Sequence, residues 1–265
     1  MSILHAIILG IVQGITEFLP VSSSGHLIVL QRVFGIEEPL LTFDIAVHVG
    51  SLVAILVVFW ADVWAIIKNP LGKMTGLLII GSLPAILVGF IFHQFGIMEN
   101  NFRTGVWLAA AFTLTGVLLL FADSFNAGTK EERDITWFDA LFIGVCQALA
   151  IPPGISRSGT TITGALTRGL NRKAAARFSF LLAIIAIAGG GLLEAVSIAR
   201  GSESVAETGL ANILVGMVVS ALVGFLAIKL LLKLISAAKL RYFSFYLWGL
   251  AALIFVDWLI INRFF

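Results

Sequence analysis

Two long apolar segments, Ile3–Phe34 and Trp137–Leu170, are each interrupted near the middle by a polar cluster, PVSSSG in the first and PPGISRSG in the second. Proline, serine and glycine stop a helix and free backbone N–H groups, which hydrocarbon cannot satisfy. Such a break persists at membrane depth only where protein or a water-filled cavity covers it. We therefore predict two helix–loop–helix hairpins, each entering and leaving a membrane on the same side.

The composition places the chain in a bilayer. It is 59% hydrophobic and 12% charged, with a mean hydropathy of +1.05, whereas about a quarter of the residues in soluble domains are charged. Nucleic acid is excluded as a partner because the basic residues are scattered over short loops. Six further apolar segments are long enough to cross a membrane of about 30 Å as helices. They are Phe43–Ile67, Thr75–Phe95, Thr104–Phe121, Ala174–Ala199, Ala211–Ile235 and Tyr242–Ile261.

The two interrupted segments are copies of each other. A shift of 134 residues aligns them without a gap and superposes Gly10 on Gly144, Gln13 on Gln147, Ser22 on Ser156, Ser24 on Ser158 and Gly25 on Gly159. Each half, 1–134 and 135–265, then holds one hairpin and three spans. Because three is odd, the second half must be inverted relative to the first. The sequence predicts one all-α polytopic membrane domain, 1–265, with an inverted-topology repeat, an architecture known from transporters.

The basic residues predict the orientation. Most of the 17 lysines and arginines fall on the side opposite the two termini, while the terminal side carries several glutamates. Basic loops mark the cytoplasmic face of a membrane protein. Both termini are therefore predicted to lie outside.

Arg157 lies in the second interruption, and its charge within an otherwise apolar segment requires an explanation. An arginine near the bilayer midplane costs at least about 2.5 kcal/mol, and such residues usually mark a functional pathway. Its planar paired donors fit phosphate oxygens. We also expect helices to begin after Ser22–Gly25 and after Ser158–Thr161, where free N–H groups favour anions. The residues assigned to phosphate binding are Ser22, Ser24, Gly25, Ser156, Arg157, Ser158, Thr160 and Thr161.

Glu17 and His26 make this predicted pocket reactive. Glu17 can ligate a hard divalent cation or act as a general base. His26 can transfer a proton, activate Ser23 or accept a phosphoryl group itself. Gln13 and Glu17 stand at i and i+4, so both side chains lie on one helical face.

Each of these residues also has a purely structural interpretation. The serines Ser22 to Ser24 are common helix caps. Glu17 and Arg157 can form a structural ion pair. Asp44 and His48, also at i and i+4, are either a supporting pair behind the site or an ordinary pair at the membrane surface.

The motifs QGITEFLPVSSSGHL and PGISRSGTT resemble the two signature motifs of the bacterial undecaprenyl-diphosphate phosphatase family, associated with bacitracin resistance. The resemblance implies removal of the terminal phosphate from a C55 lipid diphosphate, which regenerates the monophosphate carrier of cell-wall synthesis. It also implies a divalent cation, Mg²⁺ or Ca²⁺, and a site open to the outer face of the inner membrane. Many members carry Glu where this chain has Gln13, so only one carboxylate remains here.

Carried onto this chain, the resemblance assigns catalysis to Glu17, Ser23, His26 and Arg157 and a metal to Glu17 and Gln13. Ser23 is the first candidate nucleophile, with Glu17 or His26 as its base, and His26 is the second. A transporter or flippase for an anionic lipid or solute is the rival hypothesis, because inverted repeats with broken helices serve transport equally well. The sequence does not distinguish a monomer from a homodimer.

Overall fold

A computed structural model describes residues 1–36, 40–97, 102–125, 128–199, 209–234 and 239–265. The helices of the first half are α1 Ile3–Thr16, α2 Ser23–Val33, α3 Leu41–Val58, α4 Trp60–Lys68, α5 Lys73–Gln94 and α6 Gly105–Ser124. Those of the second half are α7 Trp137–Ala148, α8 Arg157–Thr167, α9 Arg172–Ala199, α10 Leu210–Leu234 and α11 Arg241–Val256, which ends in a π-helical turn, Asp257–Ile261.

Within the described residues, six helical segments are long and apolar enough to span a membrane. They lie in α3, α5, α6, α9, α10 and α11 with its π-helical extension, as the sequence predicts. Large apolar side chains such as Leu87, Leu222 and Leu253 are exposed on their outer faces, which suits lipid rather than water. The chain is an all-helical polytopic membrane protein.

The predicted span Phe43–Ile67 is wrong as a single helix, because α3 ends at Val58 and α4 begins at Trp60. Phe59 between them has φ −100° and ψ 23°. Its ring is buried and packs edge-on against Phe180 of α9, with centroids 5.8 Å apart. The break redirects α4, where Asp62 accepts a 2.6 Å hydrogen bond from Arg177.

The two predicted helix interruptions are confirmed, but the helices after them begin earlier than expected. α2 begins at Ser23 and α8 at Arg157. The preceding serines are the caps: Ser22 Oγ accepts from Gly25 N at 3.3 Å, and Ser156 Oγ accepts from Gly159 N at 3.0 Å. A serine oxygen that accepts such a bond starts the helix at the next residue, so most of the predicted loop residues form the first helical turn.

Each interrupted pair packs against a helix of the other half. α1 packs on α10 and its counterpart α7 packs on α5, while α6 packs on α11. Small residues permit this approach: a methyl group on Gly14 would fall 2.8 Å from Gly224 N and from Ser220 O. The halves are therefore interleaved, and their inverted relation stays a prediction.

Candidate active site

The two interruptions contact each other directly. Ser158 Oγ donates to the carbonyl oxygen of Leu19 at 2.9 Å, and the backbone N–H of Gly154 donates to Ser24 Oγ at 3.3 Å. Gly25 leaves no room between them, because a methyl group there would lie 3.1 Å from Gly154 Cα. The two polar clusters, 134 residues apart in the sequence, thus form one centre.

Glu17, which closes the last turn of α1, occupies this centre. It is 7% exposed. Its Oε2 accepts hydrogen bonds from Gln13 Nε2 at 3.0 Å and from Ser23 Oγ at 2.5 Å, while Oε1 accepts from Arg157 Nη2 at 2.7 Å. These donors favour the ionised carboxylate. The carboxylate is therefore placed to take a proton from the Ser23 hydroxyl.

Arg157 is only partly satisfied by Glu17. Its side chain is 15% exposed, and Nη1 is buried without a hydrogen-bond partner among the described residues. A buried donor without an acceptor costs roughly 1–3 kcal/mol, and more when it is charged. The guanidinium can thus hold Glu17 with one nitrogen and bind a second anion with the other.

The N-termini of α2 and α8 add to this positive region. The first N–H groups of a helix have no intrahelical acceptor, and an anion at that end is favoured. Here the two helices begin at Ser23 and Arg157, beside the carboxylate–guanidinium pair. The arrangement suits a ligand with several negative charges.

Most of the other predicted phosphate-binding hydroxyls contact protein groups. Thr160 and Thr161 donate to the Arg157 carbonyl at 3.0 and 2.8 Å, and Thr161 also contacts Ser179 Oγ at 2.6 Å. Ser156 and Ser158 lie 3.2 Å apart through their hydroxyls. In this structure they hold the first turn of α8, and with it Arg157. Their phosphate-binding role stays a prediction.

His26 makes different contacts from those of Glu17. Its Nδ1 lies 2.7 Å from the Ser22 carbonyl oxygen and its Nε2 lies 2.7 Å from the Tyr246 hydroxyl, while its ring stacks on the ring of Tyr246. A carbonyl only accepts, so Nδ1 carries the hydrogen and the neutral ring accepts from Tyr246. Sequence reasoning missed Tyr246, because a tyrosine near the end of an apolar span also fits an ordinary position at the membrane surface.

His48 is the other residue that sequence reasoning left outside the site. Its Nε2 lies 3.6 Å from Glu17 Oε2, and its Nδ1 lies 2.6 Å from the Asp44 carbonyl oxygen. The Asp44 carboxylate accepts from Gln31 Nε2 at 2.8 Å. Of the two interpretations of Asp44 and His48, the geometry favours the one in which His48 supports the site.

A divalent cation is compatible with the donor set around Glu17. Gln13 is fully buried, and its amide nitrogen donates to Glu17 and, at 3.4 Å, to Ser51 Oγ. This orientation leaves Gln13 Oε1 buried without a partner among the described residues. Mg²⁺ commonly takes one or two carboxylates and completes its shell with substrate phosphates and water. One carboxylate and one free amide oxygen meet that requirement.

An apolar cavity of about 370 Å³ lies between α5 and α7 and reaches the loop of the second hairpin. It is lined by Pro84, Leu87, Val88, Phe92, Val145, Ala148, Leu149 and Pro152. A cavity of this composition, with Pro152 of the second hairpin loop in its wall, suits the apolar part of an amphipathic ligand.

Comparison with known proteins gives a consistent result. Residues 6–253 match the family model of the bacitracin resistance protein BacA. An undecaprenyl-diphosphatase of Carboxydothermus hydrogenoformans is 46% identical over 256 residues, which cover 97% of each chain. Undecaprenyl-diphosphatase 4 of Bacillus cereus is 42% identical over 255 residues, 96% of each chain. An undecaprenyl-diphosphatase of Halothermothrix orenii is 38% identical over 259 residues, 97% of this chain and 98% of the relative.

Proposed function

The chain belongs to the bacitracin resistance protein BacA family, and from that membership we propose that it hydrolyses undecaprenyl diphosphate to undecaprenyl monophosphate and phosphate. The names of its relatives supply the reaction and the lipid. The observation that carries the proposal is the position of Glu17, whose carboxylate contacts a serine hydroxyl on one side and a buried guanidinium on the other.

Arg157 and the two helix N-termini bind the diphosphate in this proposal. The free Nη1 of Arg157 donates to a phosphate oxygen, and the first N–H groups of α2 and α8 donate to the remaining phosphate oxygens. Phosphoryl transfer depends chiefly on positioning and charge stabilisation, and this set of donors provides both. The polyprenyl tail leaves toward the lipid, and the apolar cavity beside the second hairpin supports a path for its first isoprene units.

Ser23 acts as the nucleophile. Its Oγ forms a bond to the terminal phosphorus while Glu17 removes its proton, and the bond from that phosphorus to the bridging oxygen breaks. The proton passes from Glu17 to the departing monophosphate. Water then attacks the phosphoserine, Glu17 takes a proton from the water and returns it to Ser23 Oγ, and inorganic phosphate leaves.

His26 is less directly supported as the nucleophile, because its Nε2 already accepts the Tyr246 hydroxyl. We assign it a positioning role in the first turn of α2, where its Nδ1–H donates to the Ser22 carbonyl oxygen and fixes the start of the helix beside Ser23. A divalent cation, Mg²⁺ or Ca²⁺, would be held by Glu17 and the amide oxygen of Gln13, and when bound it would neutralise phosphate charge.

We place the protein in the bacterial inner membrane with both termini outside and the site open to the outer face, from the distribution of basic residues. Native mass spectrometry of the detergent-solubilised protein would show whether it forms a homodimer. The rival function, a transporter for an anionic lipid or solute, is not favoured, since the relatives are named as diphosphatases.

The test is phosphate release from a C55 or C15 prenyl diphosphate by the purified protein in detergent. We expect turnover that a chelator abolishes and that added Mg²⁺ or Ca²⁺ restores. A wild-type protein that is folded but releases no phosphate under any metal condition would overturn the proposal.

A further inference from the structure

His48 approaches the reacting carboxylate from a third direction. α3 brings its Nε2 to 3.6 Å from Glu17 Oε2, the oxygen that also receives Ser23 and Gln13. Arg157 occupies the other oxygen, Oε1. The proposed reaction steps at Ser23 and Glu17 assign no role to this imidazole.

The second ring nitrogen of His48 fixes which atom faces Glu17. Nδ1 lies 2.6 Å from the Asp44 carbonyl oxygen, and since a carbonyl only accepts, Nδ1 carries a hydrogen. In the neutral ring, Nε2 therefore directs a lone pair toward the carboxylate. Two lone pairs 3.6 Å apart repel each other unless a proton or a metal cation lies between them. Histidines that bind metals almost always donate their second N–H to a carbonyl, carboxylate or water in this way.

Beside Glu17 Oε2 and His48 Nε2, a third atom, Gln13 Oε1, is free to bind a cation. Its amide nitrogen is held by Glu17 and Ser51, so the buried oxygen is turned away from both and lacks a donor among the described residues. A half-turn of the Gln13 amide about its last torsion exchanges the nitrogen and the oxygen, and Oε1 then faces Glu17 Oε2 in place of Nε2. A carboxylate oxygen, an imidazole nitrogen and an amide oxygen from α1 and α3 can then share one cation. The nearby Ser51 is itself fixed by Ser220 at 3.0 Å.

We propose that His48 Nε2 is a protein ligand of the divalent cation and completes, with Glu17 and Gln13 Oε1, a mixed nitrogen and oxygen site. The inference rests on the proposed function, in which a cation binds the diphosphate. It also accounts for a site with only one carboxylate, because imidazole supplies the third donor.

A nitrogen ligand changes which metals the site prefers. All-oxygen sites suit Mg²⁺ and Ca²⁺, whereas an imidazole ligand favours first-row transition ions over them, and Mn²⁺ is the member of that series that also binds oxygen ligands well. We expect Mn²⁺ to bind more tightly than Ca²⁺ to the wild type. His48→Gln should weaken Mn²⁺ binding by at least about 10-fold, since even the loss of a group behind a metal ligand costs about 10–100-fold, and change Ca²⁺ binding much less.

The decisive experiment detects a nitrogen atom that is coordinated to the bound metal ion. Purified protein is loaded with Mn²⁺ in the presence of methylenediphosphonate, and electron spin echo envelope modulation is recorded. We expect ¹⁴N modulation from a coordinated imidazole in the wild type, its loss in His48→Gln, and its retention in the matched control His93→Gln, since His93 is exposed at the end of α5.

A second variant covers the case in which His48→Gln does not fold. The chain has four histidines, so a triple variant with His5, His26 and His93 each changed to Gln leaves His48 as the only one. Retained modulation in that protein supports the assignment. Loss of modulation there, or its absence from the wild type with Mn²⁺ bound, overturns it and leaves His48 as an ion-pair partner of Glu17.

The outcomes also separate this inference from the proposed function. Wild-type phosphate release without ¹⁴N modulation refutes the His48 ligand and leaves the diphosphatase proposal standing. Modulation that depends on His48, without phosphate release, refutes the reaction and leaves the metal site.

Discussion

Glu17 and Arg157, 140 residues apart in the chain, are joined by a 2.7 Å hydrogen bond between Oε1 and Nη2. Each residue comes from a different half, and each supplies the counter-charge of the other at a depth where an unpaired ion is costly. Neither hairpin therefore forms a site by itself.

The Glu17–Ser23 pair should behave as one unit. Glu17→Gln and Ser23→Ala should each lower kcat by about 10²–10⁴-fold, the usual effect of losing general base assistance. Because both changes disable the same step, the double variant should be no worse than the poorer single variant. Phosphate release measures this, with the exposed Ser124→Ala as control. Losses that multiply in the double variant would mean that the two residues act independently.

Arg157→Lys tests whether the paired geometry of the guanidinium matters beyond its charge. A lysine keeps the ion pair with Glu17 but has no second planar nitrogen for the phosphate, so kcat/KM should fall by about 10²–10³-fold. Arg168→Lys is the matched control, since Arg168 makes a similar 2.7 Å ion pair with Asp139 outside the site. Equal effects of the two changes would reduce Arg157 to a structural role.

Tyr246→Phe removes the hydrogen-bond partner of His26 Nε2 and keeps the stacked ring. One lost hydrogen bond is worth about 0.5–1.5 kcal/mol, so we expect kcat to fall by about 2- to 10-fold with little change in KM. Steady-state kinetics provide the measurement, and the exposed Tyr242→Phe is the comparison. A loss of several orders of magnitude would instead place the Tyr246 hydroxyl in the chemistry.

Gly25→Ala should force the two hairpin loops apart. The added methyl group would lie 2.6 Å from a ring carbon of Phe112 and 3.1 Å from Gly154 Cα, and overpacking of this kind costs about 1–3 kcal/mol. Thermal unfolding followed by tryptophan fluorescence should show a lower Tm. Gly249→Ala, with open space around the new methyl group, should keep or slightly raise the Tm. An unchanged Tm for Gly25→Ala would show that the loops can yield.

The sequence predicts the parts of the structure that depend on local chemistry. Proline, serine and glycine in an apolar run locate both interruptions, and an isolated Glu17 and Arg157 in apolar surroundings point to the site. The break at Phe59 was not predicted, because it depends on a ring contact with Phe180, 121 residues further along the chain. The contacts of His48 with Glu17 and of Tyr246 with His26 could not be predicted for the same reason. Spacing along a helix shows which residues share a face, but not which residues of another helix contact that face.

The packing of α1 against α10 also sets the order of events during synthesis. α1 ends at Thr16 and α10 begins only at Leu210, so at roughly 5–20 residues per second the ribosome needs on the order of 10–40 s to supply the partner of the first helix. Throughout that interval Gly14 faces lipid or the insertion machinery instead of Gly224. The first hairpin, which carries the acidic Glu17, is therefore synthesised long before its partner α10, which belongs to about the last fifth of the chain.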